Sequence, residues 1–209
     1  MLLDFADLTP LERYRWLAAS VTPRPIAWVS SLSAEGVANL APFSFFQVIS
    51  DEPATLMVNV GTRDDGALKD TLRNAQETGE LAIHLVSFAQ AEAMNASAAI
   101  LPRSSSEFEH FAIASIPSCR IAPPRVAGAA IAFECRVAEV IGYPRQQPNH
   151  HLIFAEVLLA HVDDGVLDEK GRIDPHRLDV VGRLGGQPTA EPVTPSICTG
   201  RPDPLPSDG

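Results

Sequence analysis

Lysine is almost missing from this chain: only Lys69 and Lys170 occur beside fourteen arginines. Basic charge is short overall, with a formal net charge of −10 and a pI near 5.0. That balance argues against a general nucleic-acid binder, whose affinity rests on neutralising phosphates. Cysteine is scarce as well. Cys119, Cys135 and Cys198 form no C-x-x-C pair, and an odd count of three suits reduced thiols in the cytoplasm. No apolar run reaches membrane-span length, and Met1–Asp7 carries acid where a signal peptide needs base, so neither a membrane anchor nor a leader is expected. The phosphate-cradling G-x-x-x-x-G-K-[ST], the dinucleotide fingerprint G-x-G-x-x-G, the zinc helix H-E-x-x-H and the nucleophile elbow G-x-S-x-G are all missing. The six histidines show no ligand spacing, so no metal site is expected, and His150 and His151 are placed in a loop after Pro148.

What is present reads as one β-rich domain. Hydrophobic residues make up 45% of 209 residues, enough for one full core over residues 1–187. Residues 188–209, with Pro188, Pro192, Pro195, Pro202, Pro204 and Pro206, read as an extended or disordered tail rather than a second domain. Thr9-Pro10-Leu11-Glu12 carries a capping box that opens a helix ending near Ala19 and Ser20. Ile26–Ser30 and Val37–Leu40 flank the turn Ser33-Ala-Glu-Gly36 and predict a β-hairpin, its second arm continued by Phe43–Ile49. Strands are also expected at Thr55–Val60, Leu81–Val86 and Leu152–Val162, the last with room for a bulge. Ile131, Phe133, Cys135 and Val137 alternate with Glu134 and Arg136, the pattern of a strand with one wet face. Helices are expected over Ala67–Thr78, stopped by Gly79, and over Ala89–Ser97, with an irregular polar stretch from Ala98 to Arg125. The sum is a mainly β barrel with α decoration.

Three places carry more than core-building residues. Arg24 stands between Pro23 and Pro25, either as a solvated strand entry or as the edge of a ligand site. Asn39 and Ser44 bracket Ala41-Pro42, where free backbone donors and two polar side chains suit the edge of a flat ligand; an ordinary strand ending at Pro42 accounts for the proline alone. Lys69-Asp70-Thr71 falls at the start of a predicted helix, where amides and the helix dipole favour an anion. A solvated face with Lys69 paired to Asp65 or Asp70 is the other reading.

T-P-R-P-I-A-W-V-S-S (22–31), N-L-A-P-F-S-F-F (39–46) and K-D-T-L-R-N (69–74), in this order, resemble the flavin reductase-like proteins with an FMN-binding split β-barrel. That family includes flavoredoxin and the reductase components of two-component monooxygenases. The likeness runs from about Leu8 to Gly186. It implies that Arg24, Pro25, Ala27, Trp28 and Val29 line one flavin edge. Asn39, Leu40, Ala41, Pro42, Ser44 and Phe45 would contact the ring, and Lys69, Asp70 and Thr71 would hold the phosphate. Met94-Asn95-Ala96-Ser97 resembles a family motif near the active site and adds Asn95. Arg183-Leu-Gly-Gly186 also matches, but the tyrosine that commonly follows it has no counterpart in Gln187–Ala190.

The resemblance implies an FMN-dependent oxidoreductase, an NAD(P)H:flavin reductase in which NADH or NADPH passes hydride to the flavin. No separate catalytic acid or base is then needed. It also implies a homodimer and leaves room for a separate monooxygenase that consumes reduced flavin. A non-catalytic FMN carrier or sensor is the alternative, and a barrel holding another ligand such as haem is a third.

Overall fold

The computed structural model describes residues 1–185 of the 209. Gly186, the segment where the family tyrosine is missing, and the proline-rich tail lie outside the described residues.

Helix α1 (Pro10–Ser20) starts as its sequence dictates. The Thr9 hydroxyl accepts from the Glu12 amide at 3.3 Å, and the Glu12 carboxylate accepts from the Thr9 amide at 2.9 Å. After the short β1 (Arg24–Pro25), strands β2 (Ala27–Leu32) and β3 (Ala38–Phe43) form the expected hairpin. Gly36 closes its turn with φ +86°, and its N–H donates to Ser33 O at 2.9 Å.

The second arm does not run on to Ile49. It ends at Phe43, and β4 (Phe46–Asp51) pairs instead with β5 (Ala54–Gly61). The short β7 (Ser115–Ile116) and β8 (Arg125–Val126) pair only with each other; with β6 (Glu80–Leu85), β9 (Ile131–Tyr143) and β10 (His150–Val162), strands β2 to β5 form one antiparallel sheet in the order β3-β2-β6-β9-β10-β5-β4. Only Ser44 and Phe45 separate β3 from β4, yet the two lie at opposite edges. Three chain steps span at most about 10 Å, so the sheet must curl until its edges meet. Apolar character is the same on both sides of the crossing and gives no hint of the change of partner.

Alternation along the strands builds a core on each face. Ala27, Val29, Leu81, Ile83, Val58 and Ile153 point into the barrel, where Leu72 and Ala75 of helix α2 (Asp70–Thr78) close one end. Trp28, Leu40 and Ile26 point outward and pack under Met94 of α3 (Ala91–Ala96), Phe108 of α4 (Glu107–His110) and Val126. Helix α2 begins at Asp70 rather than Ala67, because Lys69 is still extended with ψ 149°; it stops at Gly79 in the left-handed region, φ +72°. The helix expected over Ala89–Ser97 is a 3₁₀ turn (Phe88–Gln90) running into α3.

The irregular stretch covers the outer face and is fastened there by side chains of the barrel. The Glu134 carboxylate accepts from the Cys119 and Arg120 amides at 2.8 and 2.6 Å, and Glu80 accepts from the Ala122 amide at 2.8 Å. His84 Nε2 accepts from the Val126 amide at 3.0 Å, while its Nδ1–H donates to Trp28 O at 2.8 Å. Glu134, expected on a wet face, is therefore fully buried. His150 and His151 open β10 rather than sitting in a loop, and β10 carries register shifts at Phe154/Ala155 and Val157/Leu159. No helix of the described residues is long and apolar enough to cross a membrane.

Candidate functional site

A cleft of about 300 Å³ opens between β3 and the start of α2. Asn39, Ala41, Pro42 and Phe43 form one wall, Thr62–Asp64 and Lys69–Thr71 the opposite one, and Ser97–Leu101 with Glu107 the rim. A smaller cleft of about 140 Å³ adjoins it through Pro42, Phe43 and Ala98, and adds Ser44, Asn95 and Arg183. Together they make an elongated groove along β3.

Polar groups hold the two walls in register. The Asn39 amide donates to the Thr71 hydroxyl at 2.9 Å and to the Ser31 hydroxyl at 3.4 Å, and the Asn74 amide donates to Ser31 at 3.0 Å. Thr71 and Asn74 are both 1% exposed, so the half-buried Asn39 at the cleft wall is anchored to buried partners. On the rim, the Glu107 carboxylate accepts from the Leu40 amide at 2.8 Å, taking a donor that an edge strand leaves unpaired. Burial raises the Glu107 pKa, against the pull of the Leu40 amide.

The α2 end suits an anion. Lys69 is the N-cap residue, its side chain makes no capping bond, and it lines the cleft together with Asp70 and Thr71 of the first turn of the nine-residue helix. Lys69 makes no ion pair among the described residues, and its Nζ lies 5.7 Å from the Phe43 ring centroid. Burial and the neighbouring Arg63 lower its pKa, with Asp64 acting in the opposite sense. Neither Asp65 nor Asp70 pairs with it. Asp70 instead bridges Arg63 at 2.8 Å and Arg103 at 3.2 Å, and Arg103 continues to Glu77 at 2.6 Å. Asp70 thus contributes by placing guanidinium groups near the mouth.

The structure gathers Asn39, Ala41, Pro42, Lys69, Asp70 and Thr71 at the larger cleft, and Pro42, Ser44 and Asn95 at the smaller one. Ala27, Trp28, Val29 and Leu40 are fully buried and line neither. Trp28 Nε1–H donates to the Ser97 hydroxyl at 2.9 Å, so it braces the rim from behind. Arg24 and Pro25 line a separate apolar cavity of about 280 Å³ with Leu85, Val86 and Val181. Arg24, 6% exposed, donates to the carbonyls of Ala18 and Val21 at the end of α1, and its guanidinium lies 5.7 Å from the Phe45 ring. Phe45 in turn stacks on His150 with centroids 6.5 Å apart.

Arg63, Arg103 and Glu107 were not among the sequence-expected residues. Arg63 lies in a polar loop and Arg103 and Glu107 in an irregular stretch, and no local pattern ties them to β3 or α2.

The sequence profile of the flavin reductase like domain matches residues 19–177. Among solved structures, nitrilotriacetate monooxygenase component B from Bacillus cereus is similar at 34% identity and a TM-score of 0.83, covering 89% of this chain and 92% of that one. The 2-nitrobenzoate 2-nitroreductase NbaA of Pseudomonas fluorescens is similar at 30% identity and a TM-score of 0.80, covering 100% of both chains. A protein with a split barrel domain from Shewanella frigidimarina shares the fold at 18% identity and a TM-score of 0.76, over 91% of this chain and 98% of that one.

Proposed function

Since this chain belongs to the flavin reductase-like family of split-barrel proteins, we propose that it binds FMN in the groove along β3 and works as an NAD(P)H-dependent flavin reductase. The observation that carries this is the meeting, at one cleft, of a helix N-terminus without a side-chain cap, a lysine with no ion-pair partner among the described residues, and a strand edge bearing Asn39. The residues present fit the cofactor. Lys69 and the first-turn amides of α2 suit a terminal phosphate, and Asn39, Ser44 and the β3 backbone suit the polar rim of the ring. When bound, FMN supplies the two-electron acceptor for hydride from NADH or NADPH.

The chain's own residues bind and orient. Thr71 holds Asn39, Glu107 holds the Leu40 backbone, and Trp28 holds Ser97, so the walls are set before any ligand arrives. Arg63 adds positive charge at the phosphate end. The likeness to a monooxygenase component B supports a role in delivering reduced flavin to a separate oxygenase.

A homodimer is part of the proposal. Helix α1 buries only Ala18 and exposes Leu11, Tyr14, Trp16 and Leu17, and β4 exposes Val48 and Ile49. Apolar surface of this kind marks an interaction face.

Titration with FMN, followed by anaerobic addition of NADH or NADPH, tests the function. Saturable binding and bleaching of the flavin band are the expected results. Binding without bleaching by either nucleotide leaves the carrier reading, and no flavin binding overturns both.

A further inference from the structure

Away from the groove, folding brings Cys119, Glu134 and His161 together on the outer face of the barrel. Cys119 comes from the irregular stretch, Glu134 from β9 and His161 from β10. One sulfur, oxygen or nitrogen ligand atom from each lies within 4.8 Å of the other two. None of the three lines the groove.

The details go beyond proximity. Glu134 is fully buried, and its Oε1 and Oε2 accept from the Cys119 and Arg120 amides at 2.8 and 2.6 Å. Outer hydrogen bonds of this kind orient metal-binding carboxylates. His161 Nε2 sits 2.6 Å from Glu134 Oε1, a contact that holds one shared proton. Cys119 is exposed and His161 partly so, which leaves one side of the trio open to water.

We propose that Cys119, Glu134 and His161 form a binding site for a divalent transition-metal cation of the zinc type, with water as fourth ligand. One thiolate, one imidazole and one carboxylate make a borderline-soft donor set. Zinc accepts it readily, whereas calcium and magnesium call for all-oxygen cages. Binding displaces the thiol proton and the proton between His161 and Glu134. The 2.6 Å nitrogen–oxygen contact then widens to about 3.3 Å, as bonds of about 2.0–2.1 Å at a tetrahedral centre require.

Arg125 bears on the charge balance. Its Nε lies 3.7 Å from Glu134 Oε1 and its Nη2 donates to Pro117 O at 3.1 Å. One thiolate and one carboxylate cancel the two positive charges of the ion, so the guanidinium faces a neutral centre. A cation without the thiolate would meet Arg125 uncompensated, which makes Cys119 essential. The ligands stand 15 and 27 residues apart, beyond any local spacing signal. Because Cys119 lies in the covering stretch and the other two in the sheet, the ion also ties that stretch to the barrel.

The test is zinc titration of full-length, reduced protein after removal of metal by chelator, read by calorimetry and by elemental analysis after dialysis. Cobalt(II) serves as a spectroscopic probe, through the thiolate-to-metal absorption in a difference spectrum. We expect one zinc per chain, a rise in melting temperature with zinc, and a cobalt–thiolate band. Cys119→Ser and His161→Ala alter surface-accessible residues and should each weaken binding more than about tenfold, while Cys198→Ser and His150→Ala should not. Wild-type protein that retains no zinc overturns the site. So does equal affinity in the Cys119 and His161 variants, or a cobalt spectrum without a thiolate band.

Discussion

The Asn39 side-chain amide donates to the Thr71 hydroxyl across 2.9 Å, and this one bond joins strand β3 to the first turn of α2. In the proposed complex the ring of the flavin meets β3 and its phosphate meets α2. The distance between those two holds is therefore set by a contact that is in place without ligand.

Thr71→Val keeps the shape of the side chain and removes the acceptor. Thr71 is 1% exposed, so the Asn39 amide loses a buried acceptor at the cleft wall. A cost of about 1 kcal/mol in stability is expected, together with weaker FMN binding. Thr71→Ser restores the acceptor and should restore affinity. Thermal melts and FMN titration of both variants check this, and unchanged affinity in Thr71→Val removes the positioning role.

Lys69→Ala should weaken FMN binding by about 1.5–3 kcal/mol while leaving riboflavin affinity nearly unchanged. The charge acts on the phosphate, which riboflavin lacks. Parallel fluorescence titrations separate the two ligands. Equal losses for both would move Lys69 away from the phosphate, and a fall in melting temperature with no flavin effect would make it structural.

His84 makes stability depend on pH. Burial lowers its pKa from 6.5 to about 4, and its Nε2 must stay unprotonated to accept from Val126. The unfolded chain therefore binds more protons than the folded one between those values. Stability from this group is complete above pH 6.5 and is lost as pH falls through 4, by about 3 kcal/mol in all. Urea unfolding at a series of pH values measures it. Glu107, whose pKa burial raises, works in the opposite sense. The slope should thus be compared with that of His84→Gln, in which it should flatten; an equal slope in the variant would assign the effect elsewhere.

Leu17→Glu should convert the proposed dimer to a monomer. Leu17 is 52% exposed on α1, beside Leu11, Tyr14 and Trp16, and a charge there opposes burial of the apolar face. Sedimentation of FMN-saturated protein should give twice the chain mass for the wild type and 22.4 kDa for the variant. A wild-type mass of 22.4 kDa with tight FMN binding would overturn the dimer.

Much of this fold was legible in the sequence wherever its cause is local. The Thr9–Glu12 box, the Gly36 turn and the Gly79 stop each depend on residues within one turn of one another, and each forms as expected. Of the expected site residues, Asn39 and Pro42 stand out in a linear reading as a polar group and a proline in an apolar strand, and Lys69 as one of two lysines, at the start of a predicted helix. Only tertiary structure decided the rest. Curling of the sheet sends β4 to the edge opposite β3, since strand partners are chosen by closure across the whole barrel. Glu134 is buried because a distant stretch folds over it, and alternation cannot tell a wet face from a covered one. Trp28 and Val29 go to opposite faces of one strand, both dry, so hydrophobicity alone could not assign either to a ligand wall. Arg63 and Glu107 reach the cleft, and Cys119 reaches His161, across chain separations that no local pattern records.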